Sequence, residues 1–179
     1  MPFTAEQKGV AIGMTLGAAA AFTLVGYGIL ANPLAFDGFL TLSEKLVVVA
    51  QAGLVPIFFV MLAVGKLARH RMFTPEDIAG AGLTAGSPRA KLLQALLQNT
   101  LEQAFLALGA YFAWALIMPG TWLSVVPMAA AAFALGRVLF NRGYEQGAKS
   151  RALGFTLSFY VSATMLMATV IFTIQDVIF

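Results

Sequence analysis

Five long apolar stretches follow one another along the chain, separated by short polar segments. They cover residues 9–31, 46–67, 89–118, 122–140 and 152–178. About 20 consecutive apolar residues cross the hydrocarbon core of a bilayer as a helix. Lipid favours helices because every backbone polar group must be satisfied within the protein. The pattern therefore predicts an all-α integral membrane helical bundle with five spans.

The third stretch differs from the others because polar side chains recur along one side of it. Gln94, Gln98 and Glu102 are spaced at i, i+4 and i+8, and Asn99 and Gln103 form the adjacent row. Helical spacing puts all five on one face. A carboxylate near the middle of a bilayer costs about 3 kcal/mol on insertion scales. We therefore expect this face to look into protein or water.

A carboxylate held in such a helix needs a cation nearby. The candidates for pairing with Glu102 are Arg137 and an arginine across a subunit interface. Removing one partner of a buried ion pair typically costs about 3–5 kcal/mol. We expect Glu102 to face a neighbouring helix or subunit.

Composition supports the membrane assignment and excludes several kinds of site. The chain is 60% hydrophobic and 11% charged, which excludes an ordinary soluble domain. It has no cysteine and one histidine, His70, which argues against thiolate and histidine-rich metal centres. The net charge of +3 reports mainly on membrane topology.

The basic residues are distributed unevenly between the two sides of the five predicted spans. Ten of the eleven lysines and arginines fall at the amino terminus or in the second and fourth connections, and only Lys45 lies on the other side. Basic residues are concentrated on the cytoplasmic side of membrane proteins. We expect a cytoplasmic amino terminus and a periplasmic carboxyl terminus in a bacterial inner (cytoplasmic) membrane.

The first stretch carries small residues at every fourth position. Gly9, Gly13, Gly17 and Ala21 form a stripe that lets another helix approach closely. The stripe is open to two interpretations: packing within the bundle, or an outward surface on which a membrane-protein partner docks.

A second group of polar residues surrounds the connection between the fourth and fifth stretches. Arg137 and Tyr144 are seven residues apart and share a helix face, and Arg151 follows Gly147, which is expected to break the helix. These residues predict a cationic cavity suited to an anionic ligand that also carries an ammonium group. The alternative is structural: basic residues that contact lipid headgroups, and an Asn99–Glu102 clamp between helices.

These residues resemble a known family. Asn99-x-x-Glu102 in one helix, followed by Arg137, Gly143-Tyr144 and Arg151 on the next helical hairpin, is similar to the MAPEG family, the membrane-associated proteins in eicosanoid and glutathione metabolism. The resemblance covers residues 46–179 as a four-helix transmembrane unit. Residues 1–45 would then form an additional amino-terminal helix and loop, outside the family-like unit.

The resemblance implies a homotrimer in the lipid bilayer that binds glutathione between subunits and acts as a transferase or peroxidase on lipophilic electrophiles. By family analogy, Arg151 stabilises the glutathione thiolate. The other implied glutathione contacts are Asn99, Glu102, Arg137 and Tyr144, with Gln103 beside them in the polar face. An arginine beside a thiol lowers the thiol pKa and so raises the fraction of nucleophilic thiolate.

The chain also departs from the family pattern. Ala95, Gln103 and Phe140 stand where the family often has an arginine, an aromatic and a polar residue. The alternative function is therefore a non-catalytic membrane subunit that docks on a larger complex through its first helix. A transporter or channel fits less well. The charges of this chain cluster at one membrane face, whereas a transport pathway would need them distributed through the membrane depth.

Overall fold

The protein is a bundle of five long helices, which a computed structural model describes over residues 3–80 and 83–178. The helices are α1 (Ala5–Ala31), α2 (Leu42–Met72), α3 (Pro88–Ile117), α4 (Val125–Gly143) and α5 (Ala148–Ile178). Short 3₁₀ helices cover Pro75–Asp77, Gly120–Trp122 and Tyr144–Gln146. All five long helices are long and apolar enough to cross a membrane, which confirms the predicted all-α membrane bundle.

Helices α1 and α2 begin before their apolar stretches because polar capping residues lie outside the stretches. Thr4 and Thr41 each form a capping box, in which the threonine hydroxyl accepts from the backbone N–H three residues on. Ser87 caps α3 in a similar way, with Pro88 in its first turn. Hydropathy alone does not predict these helix starts, because the residues of the first turns are polar.

The glycine stripe of α1 packs against α5. Gly13 and Gly17 are buried, and a Cβ built on Gly13 would lie 2.7 Å from Cβ of Ala152. The Thr156 hydroxyl donates to the Gly13 carbonyl at 3.0 Å. The interpretation of this stripe as an outward docking surface is therefore wrong, and packing within the bundle is right.

Helices α4 and α5 approach each other as closely as their backbones allow. A Cβ on Gly154 would lie 2.8 Å from the carbonyl oxygen of Gly136. Helix α4 ends at Gly143 and a 3₁₀ turn covers Tyr144–Gln146, so the helix ends before the predicted break at Gly147. Gly147 has φ +101°, a conformation that side-chain-bearing residues rarely adopt, and it directly precedes α5.

The basic residues collect at one end of the bundle, which we call the basic end. The start of α1 contacts the start of α5 there, since Glu6 Oε1 accepts from the backbone N–H of Lys149 at 3.1 Å. Lys45 lies at the opposite end, where its Nζ donates to the Met118 carbonyl at 3.1 Å. Large buried side chains, among them Trp114 and Phe133, fill the core.

Candidate functional site

Arg137 lies at the centre of the candidate site and is fully buried, with 0% of its surface exposed. Its Nη1 donates to Asn99 Oδ1 at 2.8 Å and its Nη2 donates to Ser158 Oγ at 2.7 Å. The Phe140 ring lies 4.5 Å from the guanidinium carbon. Arg137 thus joins α3, α4 and α5 through neutral groups.

No carboxylate neutralises Arg137 within residues 3–80 and 83–178. Its Nε also lacks a hydrogen-bond partner there. A charge buried in a membrane helix is expensive and usually marks a functional site. The unmet hydrogen-bonding capacity and charge of Arg137 therefore suit an anion.

Glu102 does not pair with Arg137 inside the chain, so that part of the prediction is wrong. Its side chain is exposed on the single chain, and its Oε1 accepts from Gln98 Nε2 at 2.8 Å. The adjacent row of α3 faces α4 instead. Asn99 belongs to this row, and its side chain lies beside Arg137. The pairing of Glu102 with a second subunit stays a prediction.

The polar face of α3 is divided among several environments. Gln94 accepts from Arg71 Nη2 at 3.1 Å, which connects α3 to the end of α2. Gln103 is buried, and its Oε1 has no partner in the described part of the chain. Only Asn99 of this face reaches the Arg137 centre.

A cavity of about 380 Å³ opens beside this centre at the basic end. Phe140 lines it together with Asn99, Tyr144 and Arg151, three of the six candidate site residues, and Arg137 lies behind Asn99. Glu102 and Gln103 do not line it. The guanidinium carbon of Arg151 lies 4.4 Å from the centre of the Tyr144 ring. Stacking on an aromatic face holds an arginine by cation–π attraction.

Helix α1 also lines this cavity, through Val10 and Met14. This contribution was not predicted, because the resemblance placed residues 1–45 outside the family-like unit. The glycine stripe was the available signal, since a close approach of α1 to α5 carries the flanking residues to Arg151.

A separate polar cluster holds the connection between α2 and α3. The Asp77 carboxylate is buried and accepts from the Ser87 hydroxyl at 2.6 Å and from the Ser87 backbone N–H at 2.8 Å. His70 Nε2 lies 2.9 Å from Asp77 Oδ2. These hydrogen bonds, those from Ser87 first, hold the pKa of Asp77 below its ordinary value.

The same connection contains one short helical turn. Residues Pro75–Asp77 form only one 3₁₀ turn, and the Thr74 side chain does not cap it. The Ser87 hydroxyl and His70 Nε2 both contact the same carboxylate oxygen of Asp77. In a catalytic triad the histidine would lie between the serine and the carboxylate, so we interpret this cluster as a structural clamp that holds the connection between α2 and α3.

Comparison with known proteins agrees with this architecture. Neither a curated protein nor a solved structure matches the chain significantly. The MAPEG family model matches residues 46–171, which is more than half of the chain. The matched segment begins within α2, ends within α5 and does not include α1. The chain therefore belongs to the MAPEG family, and it is an integral membrane protein of that family.

Proposed function

We propose that the protein is a glutathione-dependent transferase or peroxidase that acts on lipophilic electrophiles. The observation that carries this proposal is the placement of Arg151 and Tyr144 at a cavity whose inner wall contains Asn99, the hydrogen-bond partner of buried Arg137. Arg151 lines the cavity directly, whereas Arg137 is buried behind it and is connected to it only through Asn99. Neither guanidinium group pairs with a carboxylate among the described residues.

The residues present fit glutathione. Its carboxylates suit Arg151, Asn99 and the Tyr144 hydroxyl, which line the cavity. Its ammonium group suits the carboxylate of Glu102, which is exposed on the adjacent row of α3 and lies outside the cavity of the single chain. The volume of about 380 Å³ lies in the ordinary range of small-molecule sites. Glutathione supplies a thiol, which is a nucleophile once it has lost its proton.

Arg151 is the residue that assists this chemistry. Its guanidinium group stabilises an adjacent thiolate and so lowers the thiol pKa. Stacking against Tyr144 fixes the guanidinium plane, and Glu6 and Gly147 fix the start of α5 that carries it. Each unit of pKa depression corresponds to about 1.4 kcal/mol of stabilisation of the charged form.

An apolar groove supports a lipophilic second substrate. A space of about 600 Å³ between α1 and α5 shares Met14 and Tyr160 with the Arg151 cavity. Its other lining residues are Thr15, Ala18, Phe22, Ala163, Thr164, Met167, Ala168 and Ile171. An electrophile dissolved in the bilayer would reach the thiolate along this groove.

The exposed polar residues of α3 support a homotrimer. Glu102 and Gln98 lie on the surface of the single chain within a membrane-spanning helix. Because lipid contact there is costly, a neighbouring copy would cover this face. Light scattering on the detergent-solubilised protein, corrected for bound detergent, should give three times the 19.0 kDa chain mass; a monomer mass would contradict the assembly.

Thiolate absorbance in the ultraviolet tests the proposed function. Adding glutathione to the purified protein at neutral pH should produce the thiolate band. Arg151→Ala should abolish the band and leave weakened glutathione binding, because Tyr144 and Asn99, the latter held by Arg137, remain at the cavity. Lys91→Ala, a matched change at the basic end outside the cavity, should leave both unchanged.

The non-catalytic alternative requires a partner that binds through α1. The glycine face of Gly9, Gly13 and Gly17 is turned to α5, so such a partner would have to use the opposite face. Absence of glutathione binding at millimolar concentration, together with a co-purifying membrane protein, would favour this alternative over the enzyme.

A further inference from the structure

A second and larger cavity lies between α2, α3 and α4 at the basic end. Its volume is about 850 Å³, and it shares no lining residue with the Arg151 cavity. On α4, Asn141 and Arg142 line this cavity, whereas Phe140 and the following Tyr144 line the other. The two cavities therefore lie on opposite sides of the end of α4, and the proposed thiol chemistry makes no use of the larger one.

The lining of this larger cavity has an apolar part and a cationic part. The apolar part contains Phe59, Leu62, Ala63, Leu93, Leu96 and Val138, and Phe73, just after α2, also lines the cavity. The cationic part contains Lys66, Arg69, Arg89 and Arg142. Along α2 the lining runs from Phe59 to His70, a distance of about 16 Å at the helical rise. The cavity thus changes from apolar to cationic along its length.

The cationic part carries positive charge that the described residues do not balance. Glu145 lines the cavity and pairs with Arg89, and both side chains are more than half exposed. The carboxylate of Asp77, on the connection after α2, already bonds His70 and Ser87. No ion pair engages Lys66, Arg69 or Arg142 in residues 3–80 and 83–178. Charges of one sign around a low-dielectric cleft concentrate counter-ions there.

We propose that this cavity binds one anionic amphiphile. Lys66, Arg69 and Arg142 hold its carboxylate or phosphate head, and the hydrocarbon tail lies against Phe59 and Leu62. The volume of about 850 Å³ falls within the range that encloses a single small ligand. Two sources share this chemistry: an anionic phospholipid of the membrane and a free long-chain fatty acid.

Charge variants test the head-group part of the proposal. The full chain is placed in phosphatidylcholine nanodiscs, either with added oleate or with phosphatidylglycerol in the disc, and bound lipid is counted by native mass spectrometry. The wild type should retain one equivalent of the anion per chain. The triple variant Lys66→Gln/Arg69→Gln/Arg142→Gln should bind at least tenfold more weakly.

The matched control removes the same charge from the same end of the bundle. Lys8, Lys91 and Lys149 lie at the basic end but outside the cavity, and changing all three to glutamine should leave binding unchanged. Equal loss in the control and the cavity variant would overturn the proposal, because attraction would then come from the general surface charge. Failure of the wild type to retain either anion would also overturn it.

A steric variant tests the tail part and does not depend on the charges. Ala63→Trp should fill the apolar part and displace the anion, whereas Val64→Trp, on the next residue and outside the cavity, should not. Binding that survives Ala63→Trp would contradict the proposal. Retention from phosphatidylglycerol discs identifies a membrane lipid and uptake of oleate identifies a free acid; both support the shared chemistry. Glutathione titration of the same variants should be unaffected, which separates this site from the proposed enzyme activity.

Discussion

Arg137 is held in the membrane bundle by neutral partners, and those partners therefore determine how much its charge costs. Asn99 and Ser158 each accept one hydrogen bond from it, from α3 and α5 respectively. The rings of Phe133 and Phe140 lie 5.7 Å and 4.5 Å from its guanidinium carbon. Phe140 stands where the family often has a polar residue, and here its ring supplies cation–π contact instead.

Asn99→Leu should destabilise the bundle by about 1.5–3 kcal/mol, because a hydrogen bond to a buried charge is lost. Arg137→Met added to Asn99→Leu should recover much of that loss, since both polar partners are then apolar. Unfolding by a denaturing detergent would measure both free energies. A double variant less stable than Asn99→Leu would show that Arg137 stabilises the fold by other contacts.

Asp77 makes the connection between α2 and α3 sensitive to acid. Its pKa is depressed below the ordinary 3.8, chiefly by the Ser87 hydrogen bonds. A carboxyl with a lowered folded pKa contributes stability above its unfolded pKa and loses it as the pH falls through the folded value. The clamp should therefore be intact at neutral pH and weaken below about pH 4.

Asp77→Asn should loosen this connection at neutral pH and remove its acid transition. Hydrogen exchange over residues 83–90 should be faster in the variant at pH 7, and the two proteins should converge at low pH. Glu76→Gln, one residue away and exposed, is the matched control. A wild type whose exchange shows no acid-dependent loosening would contradict the role assigned to Asp77.

At the scale of elements, helix α1 is held by the close approach of its glycines to α5. A side chain at Gly17 would meet Thr156, and one at Gly28 would meet Val125 of α4. The glycines that contact α4 or α5 extend from Gly9 to Gly28, so close packing runs over most of the length of α1. Helix α1 is therefore part of the bundle core, which includes Ala21 and Val25.

Gly17→Leu should destabilise the bundle by about 1–3 kcal/mol, the usual cost of overpacking. Ala19→Leu, on the exposed side of the same helix, should change stability by less than about 0.5 kcal/mol. Thermal unfolding in detergent compares the two variants. Equal stability of the two variants would indicate that the glycine face carries little of the packing.

At the scale of the whole molecule, we expect the five spans to place the two ends of the chain on opposite sides of the membrane. Reporter fusions after residue 8 and at the carboxyl terminus should report a cytoplasmic and a periplasmic location, respectively. The reason is that ten basic residues lie on one side and Lys45 lies on the other. Two fusions on the same side would contradict the five-span arrangement.

The sequence by itself determined the number of spans, their approximate limits and the family. Apolar stretches of membrane length leave few alternatives to helices, because lipid offers no partner for backbone polar groups. The sequence also indicated a break near Gly147, but α4 ends four residues earlier, at Gly143. The spacing of Asn99, Glu102, Arg137, Tyr144 and Arg151 indicated the family that the comparison then showed.

Only the tertiary structure decided which way each helix face points. Apart from the polar face of α3, these membrane helices are largely apolar on all sides, so hydropathy does not define their inner faces as it would in a soluble protein. The rotation of each helix follows instead from the fit of small residues against a particular neighbour. This fit turned the glycines of α1 toward α5, placed Asn99 rather than Glu102 beside Arg137, and brought Met14 to the Arg151 cavity.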